Sequence, residues 1–291
     1  MSPEEQREIN QKFLGASKKN DWALVFELLA RGADIEAKSK GGQTALMWSS
    51  GNGHGDAALM LVEKGADLET KDANGYTALM CATILGHADV ALMLMEKGAD
   101  LEAKSNNGKT ALMWTSGSGR VDVALALLEK GADVEAKDKH GQTSLLVACS
   151  WGRIDVALAL LAKGADVEAK DNNGRTVLIW TARSGNDGDA LQYIAHGADS
   201  KTIPSDHAFY GFTPLQACAA GGFLPKLQAL LDNPAPRRLA CEQSQALMEL
   251  ALKYSQPDAA GLIQSHLAIK AIDDLLAGAE KNARQAEKTS H

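Results

Sequence analysis

Seven histidines and four cysteines are the residues of this chain best suited to chemistry, as general bases, nucleophiles or metal ligands. A nucleophile needs a base within hydrogen-bond reach, and zinc ligands come in close pairs along the chain. The spacing here offers neither. His54, His87, His140, His196, His207, His266 and His291 are scattered, and no Ser, Cys or carboxylate recurs beside them in a triad-like order. Cys81, Cys149, Cys218 and Cys241 lie far apart, with neither zinc-ligand spacing nor a disulfide framework, so reduced and mostly buried thiols are expected. The phosphate-binding pattern GxxxxGK[ST] is missing too. The sequence therefore predicts no catalytic residue, no metal and no cofactor.

What the chain does contain is a period. The tripeptide Gly-Ala-Asp begins at Gly32, Gly65, Gly98, Gly131, Gly164 and Gly197, once every 33 residues. Such a period marks an array of small units that complete their cores only by stacking on one another. Each unit carries a turn leading into GxTxL, starting at Gly42, Gly75, Gly108, Gly141 and Gly174, and then a short apolar helix. A Gly turn follows at Gly53, Gly86, Gly119, Gly152 and Gly185, and then a second helix such as 121–130. Thr44, Thr77, Thr110, Thr143 and Thr176 are placed to cap the first helices, and Lys-Gly or His-Gly closes the second ones with the Gly left-handed.

Period, turn, helix pair and closing Gly-Ala-Asp together resemble the ankyrin repeat, whose unit carries a T-P-L-H core signature. The resemblance covers at least residues 32–232. It implies an all-α, ankyrin-like solenoid of stacked helix-turn-helix repeats with β-hairpin-like connecting loops. The signature Pro survives only at Pro214, and its His becomes Met47, Met80, Met113, Leu146, Ile179 and Gln216, implying apolar contact where the family makes a hydrogen bond. An asparagine common after the Gly-Ala-Asp run is here Glu36, Glu69, Glu102, Glu135 and Glu168, which rules out the hydroxylation known at that asparagine. His54 and His87 share the Gly-His turn common in the family, where capping or packing explains them.

Within that frame, residues 1–31 read as an N-terminal capping helix pair and 32–233 as about six repeats. Residues 234–279 read as degenerate C-terminal capping helices and 280–291 as a polar tail. The net charge of −7, with no run of Lys or Arg longer than a pair, argues against nucleic acid. No stretch approaches the roughly 18 apolar residues of a membrane span, and the N-terminus lacks a signal-peptide core. A cytoplasmic, monomeric protein without membrane insertion is expected.

Two columns of the repeat recur with a pattern. The residue after the Met column reads Trp48, Cys81, Trp114, Val147, Trp180 and Ala217, alternating large and small. Interleaving of this kind fills the layers between repeats; the same residues could instead form an apolar comb on the groove wall. The Glu column, each member with a Lys two residues on, is expected to be a solvated face, because charges roughly 10 Å apart in water interact by only about 0.4 kcal/mol.

With no chemistry in the chain, function falls to its surface. The resemblance places recognition on hairpin tips and the exposed side of the first helices, where Tyr76, Ile84, Leu85, His140, Trp151, Arg175 and Arg183 stand out as aromatic, Arg or unexpectedly apolar. The link from Gly197 to Gly211 is longer than its predecessors and adds Phe209 and Tyr210 in a loop that is either a harmless insertion or part of the binding face. The expectation is a non-enzymatic scaffold or adaptor holding a protein partner, its identity unknown, on the concave face. The alternatives are an enzyme inhibitor or secreted effector, and a small-molecule sensor with a pocket between the Trp column and the loop at 203–210.

Overall fold

The computed structural model describes residues 1–184, 187–202, 211–232 and 244–265. They form an all-helical repeat solenoid; no strand occurs among the described residues. Two compact units divide the chain, Met1–Trp180 and Thr181–His291.

The first unit opens with α1 (Pro3–Lys18) and α2 (Trp22–Ala30) and continues with four complete helix pairs. The first helices of these pairs are α3 (Ala45–Gly51), α5 (Ala78–Leu85), α7 (Ala111–Ser118) and α9 (Ser144–Ser150). The second helices are α4 (Gly55–Glu63), α6 (Ala88–Glu96), α8 (Val121–Glu129) and α10 (Ile154–Ala162). First helices pack on first helices and second on second, α3 on α5 on α7 on α9 and α4 on α6 on α8 on α10.

Helices this short are unstable alone, so packing and caps must hold them. The threonines at 44, 77, 110 and 143 each accept the amide of the third helical residue, at 3.4 Å. Inside, Leu46, Leu79, Leu112 and Leu145 form one column and Leu61, Leu94, Leu127 and Leu160 another, all at most 1 % exposed. Each such side chain contributes about 1.5–3 kcal/mol by leaving water. Met47, Met80, Met113 and Leu146 are buried as well, so the apolar residues in the His column do enter the core.

The connecting loops are hairpin-like without being strands. Within a loop, the Ser39 amide donates to the Gln43 carbonyl at 2.9 Å and the Asp72 amide to Tyr76 at 3.1 Å. Between loops, the amides of Ala73, Asn106, Lys139 and Asn172 donate to the carbonyls of Gly41, Asn74, Asn107 and His140. A backbone ladder therefore runs along the hairpin edge. Gly42, Gly75, Gly108 and Gly141 are required there twice over, by φ between +72° and +79° and because a Cβ would meet the next loop's amide nitrogen at 2.6–2.8 Å.

The division between units falls within α11 (Val177–Ser184). The second unit goes on with α12 (Asp187–Ala195), a 3-10 turn (Ser200–Thr202), α13 (Pro214–Gly221), α14 (Leu224–Asp232) and α15 (Ser244–Lys253). Here α12, α14 and α15 all pack against α13, and Thr213 with Gln216 makes a reciprocal capping box at its start.

Candidate protein-binding wall

The wall formed by the inner side of the hairpins and the exposed side of the first helices can be followed in the first unit. Its hairpin side is set by the turn residue. In the second repeat Asp72 Oδ1 accepts the amides of Asn74 and Tyr76 at 2.8 and 2.9 Å, which fixes Tyr76 over the wall. The Tyr76 ring then meets Trp114 of the next repeat edge-on, with centroids 5.4 Å apart and planes at 84°. Lys109 lies over the same indole, its Nζ 5.0 Å from the centroid. Burial, then the Asp72 charge and Cys81, raise the Tyr76 phenol above its usual range. Burial pushes the Cys81 thiol up to about 12, helped by Asp72, so this cysteine is unreactive at neutral pH.

The Trp column thus satisfies both readings in part. Trp48, Trp114 and Trp180 are half-buried, each with its indole N–H shut off from solvent and without a partner, yet Trp114 and Trp180 carry hairpin side chains on their rings, Tyr76 with Lys109 and Arg175. Cys81 and Val147 take the intervening places.

Arg175 is engaged internally. Its Nε donates to Asp171 Oδ2 at 2.9 Å, and its guanidinium stacks on Trp180 at 4.5 Å. Burial alone would raise the Asp171 carboxyl; the amides of Arg175 and Asn173 and the guanidinium outweigh it and hold the group below the usual carboxylate range. The equivalent Asp138 has Gln142 in place of Arg175, and its Oδ2 is buried without a partner. His140 is an exposed tip residue whose backbone, not its ring, holds the ladder together.

At the other margin of the wall, Leu85 is 57 % exposed and Trp151 63 %. Both lean on a helical glycine of the preceding repeat: a Cβ on Gly51 would sit 3.3 Å from Leu85 Cδ1, and one on Gly117 3.6 Å from Trp151 Cδ1. Ile84 is half-buried beside them. Arg183 falls in α11, with its side chain outside the described residues, and Phe209 and Tyr210, with the whole loop at 203–210, also lie outside them.

A further column was passed over in the sequence. His87 and Arg120 lie over the turn glycines Gly53 and Gly86, and Arg153 over Gly119, its Nε donating to the Gly117 carbonyl at 3.2 Å. His54 stacks edge-on against Trp22 at 5.4 Å, and neither His54 nor His87 makes a side-chain cap, so packing accounts for them. The recurrence of His54, His87, Arg120 and Arg153 at the 33-residue period was visible in the sequence.

The Glu column requires a correction. It stays partly or fully exposed but is more than a solvated face: one carboxylate oxygen of Glu36, Glu69, Glu102 and Glu135 accepts the amide of Asp67, Asp100, Asp133 and Asp166 in the next repeat, at 2.7–2.8 Å. The lysines behind them tie repeats together as well, Lys38, Lys71 and Lys104 donating to the carbonyls of Lys71, Lys104 and Lys137. Burial raises the Glu69 carboxyl even though the Asp100 amide pulls the other way.

The family model for ankyrin repeats (three copies) matches residues 13–105, 100–171 and 139–203. The chain belongs to the ankyrin repeat family. A search of curated proteins found no match. Ankyrin repeats are in general protein–protein interaction modules, and the family is typically non-enzymatic. Among the described residues no helix is long and apolar enough to cross a membrane, and no cluster of three His, Cys, Asp or Glu is arranged to hold a metal ion.

Proposed function

We propose that this ankyrin repeat protein is a non-enzymatic scaffold or adaptor that holds a protein partner on the concave wall of repeats two to five. The observation that carries this reading is the pair Leu85 and Trp151, two large apolar side chains more than half exposed on one wall of the stack. Burying such groups against a partner is the usual source of binding energy, and Trp is a frequent anchor. Tyr76 and Lys109 packed on Trp114 add an aromatic surface on the hairpin side of the same wall. The reading includes action as a monomer in the cytoplasm, which the thiols of Cys81, Cys149 and Cys218 suit.

The test is affinity capture from the native cell extract by the wild-type chain and by the Leu85→Ala, Trp151→Ala double variant. A protein retained by the first and lost by the second is the expected result. The same protein retained by both would move the binding surface off this wall.

A further inference from the structure

Resting on that reading, the distribution of charge on the wall specifies the partner further. The chain as a whole is acidic, at −7. Many of its carboxylates, however, are engaged by backbone amides or helix ends. Glu36, Glu69, Glu102 and Glu135 each use one oxygen on an amide of the following repeat, and Asp56, Asp89, Asp122 and Asp155 lie in the first turns of the second helices, where they complement the helix dipole. Asp122 and Asp155 are exposed two residues from Arg120 and Arg153 without pairing with them. The carboxylates on the wall itself, Asp72, Asp138 and Asp171, each direct Oδ1 at two amides of their own hairpin.

What the wall itself presents outward includes several Lys and Arg. Lys139 is exposed at the tip, Lys109 covers Trp114, and Arg120 and Arg153 are exposed at the turn margin. Neither of these two arginines forms an ion pair among the described residues. Arg153 is exposed and uses Nε on the Gly117 carbonyl, and an exposed guanidinium is a good partner for a carboxylate. Leu85, Arg120 and then Trp151 with Arg153 fall in three successive repeats, so each apolar side chain has an arginine in its own or the following repeat.

We infer that the wall of repeats two to four binds an acidic protein segment carrying two large apolar side chains, which seat on Leu85 and Trp151 while flanking carboxylates pair with Arg120 and Arg153. The anchors are two repeats apart, about 16–20 Å at the usual spacing of packed helices. A partner helix covers that span in about 11–13 residues, an extended segment in about five or six. Complementary charge on a rim acts mainly on association rate and on the choice of partner, so the interaction weakens as salt rises.

The experiment is selection of a displayed library of random segments of about 25 residues, long enough for either geometry, on the full chain. Enriched segments are then measured on Arg120→Glu, Arg153→Glu and on Leu85→Ala, Trp151→Ala. All four residues are exposed, and circular dichroism checks that both variants fold. The inference expects net-acidic segments with two apolar residues at that spacing, each double variant weakening them at least about tenfold. Basic or neutral segments lost on the Leu85, Trp151 variant would overturn the acidic partner and leave the wall as the binding surface. A single-stranded oligonucleotide of about 20 nucleotides binding the wild type and lost on the arginine variant would overturn the protein class. Segments indifferent to both variants, or no enrichment, would overturn this inference and the concave-wall reading together.

Discussion

The hairpin edge and the turn margin of the same repeats use similar residues to opposite ends. At the hairpin edge many polar groups are committed within the hairpin or to the next repeat: backbone amides to carbonyls, Glu carboxylates to amides, Lys ammonium groups to carbonyls. At the turn margin the hydrogen bonds between repeats are fewer, Asn52 Nδ2 to Asn20 Oδ1 and Arg153 Nε to the Gly117 carbonyl, beside the packing of His54, His87, Arg120, Arg153, Leu85 and Trp151 on the preceding repeat. An edge whose donors and acceptors are satisfied internally gains little by meeting a partner, since binding would only exchange one hydrogen bond for another. A margin that keeps exposed apolar side chains and unpaired guanidinium groups has surface left to bury. Register is held on one side and recognition is available on the other.

The sharpest test of that contrast is a pair of glycines in one repeat. Gly108 at the hairpin and Gly119 at the turn share φ of +79°, so replacement by Ala strains both backbones equally, by about 1–2 kcal/mol. A Cβ on Gly119 meets the Cδ of Arg153 at 3.0 Å, a side chain that can move aside. A Cβ on Gly108 meets the Lys139 amide nitrogen at 2.8 Å, and that amide must give up its bond to Asn107. Gly108→Ala is therefore expected to lose about 1 kcal/mol more than Gly119→Ala in urea denaturation. Equal losses would mean the hairpin ladder is not what holds the repeats in register.

Next in size is the Glu column. Glu102→Ala removes a charged acceptor from the Asp133 amide and is expected to cost about 1 kcal/mol, whereas Glu102→Gln keeps an acceptor and costs less. If the two variants match the wild type in thermal denaturation, the column is solvated after all. Asp171 adds a pH dependence. Its folded pKa is depressed, so its contribution is complete above the ordinary carboxylate range and disappears as pH falls through the depressed value. Asp171→Asn is expected to flatten the acid limb of a stability-versus-pH curve relative to wild type, and an unchanged limb would deny the Arg175 pairing that closes this hairpin.

The period, the helix pairs, the threonine caps and the left-handed glycines were all legible in the sequence, because each leaves the same residue type at the same place in successive repeats. The misreadings concern groups whose partners lie in the next repeat or across a turn. Glu102 was weighed as a charge against Glu69 and Glu135, when its partner is an amide 31 residues on, a neutral group that no charge count detects. Arg175 reads as a free anchor until the hairpin closes and brings Asp171 and Trp180 around it. Arg120 and Arg153 recur on the period but sit at turns, where histidines of the same column had already been given a structural explanation. Leu85 stands out in the sequence, with Ile84, as an apolar pair at a normally polar turn, and Trp151 as an aromatic at such a turn.

The smallest expected effect on stability falls on those two residues, and there it is the informative result. Leu85→Ala and Trp151→Ala each remove a large side chain, yet both are mostly in water and touch glycines that have no side chain to lose contact with. A substitution outside the core and outside any hydrogen-bond network usually stays within about 0.5 kcal/mol. Each variant is therefore expected to unfold in urea close to wild type while binding to a partner falls. A loss of about 2 kcal/mol or more, as for a core aromatic, would make Trp151 a strut between repeats, and the distinction between a holding edge and a reading margin would fail at that residue.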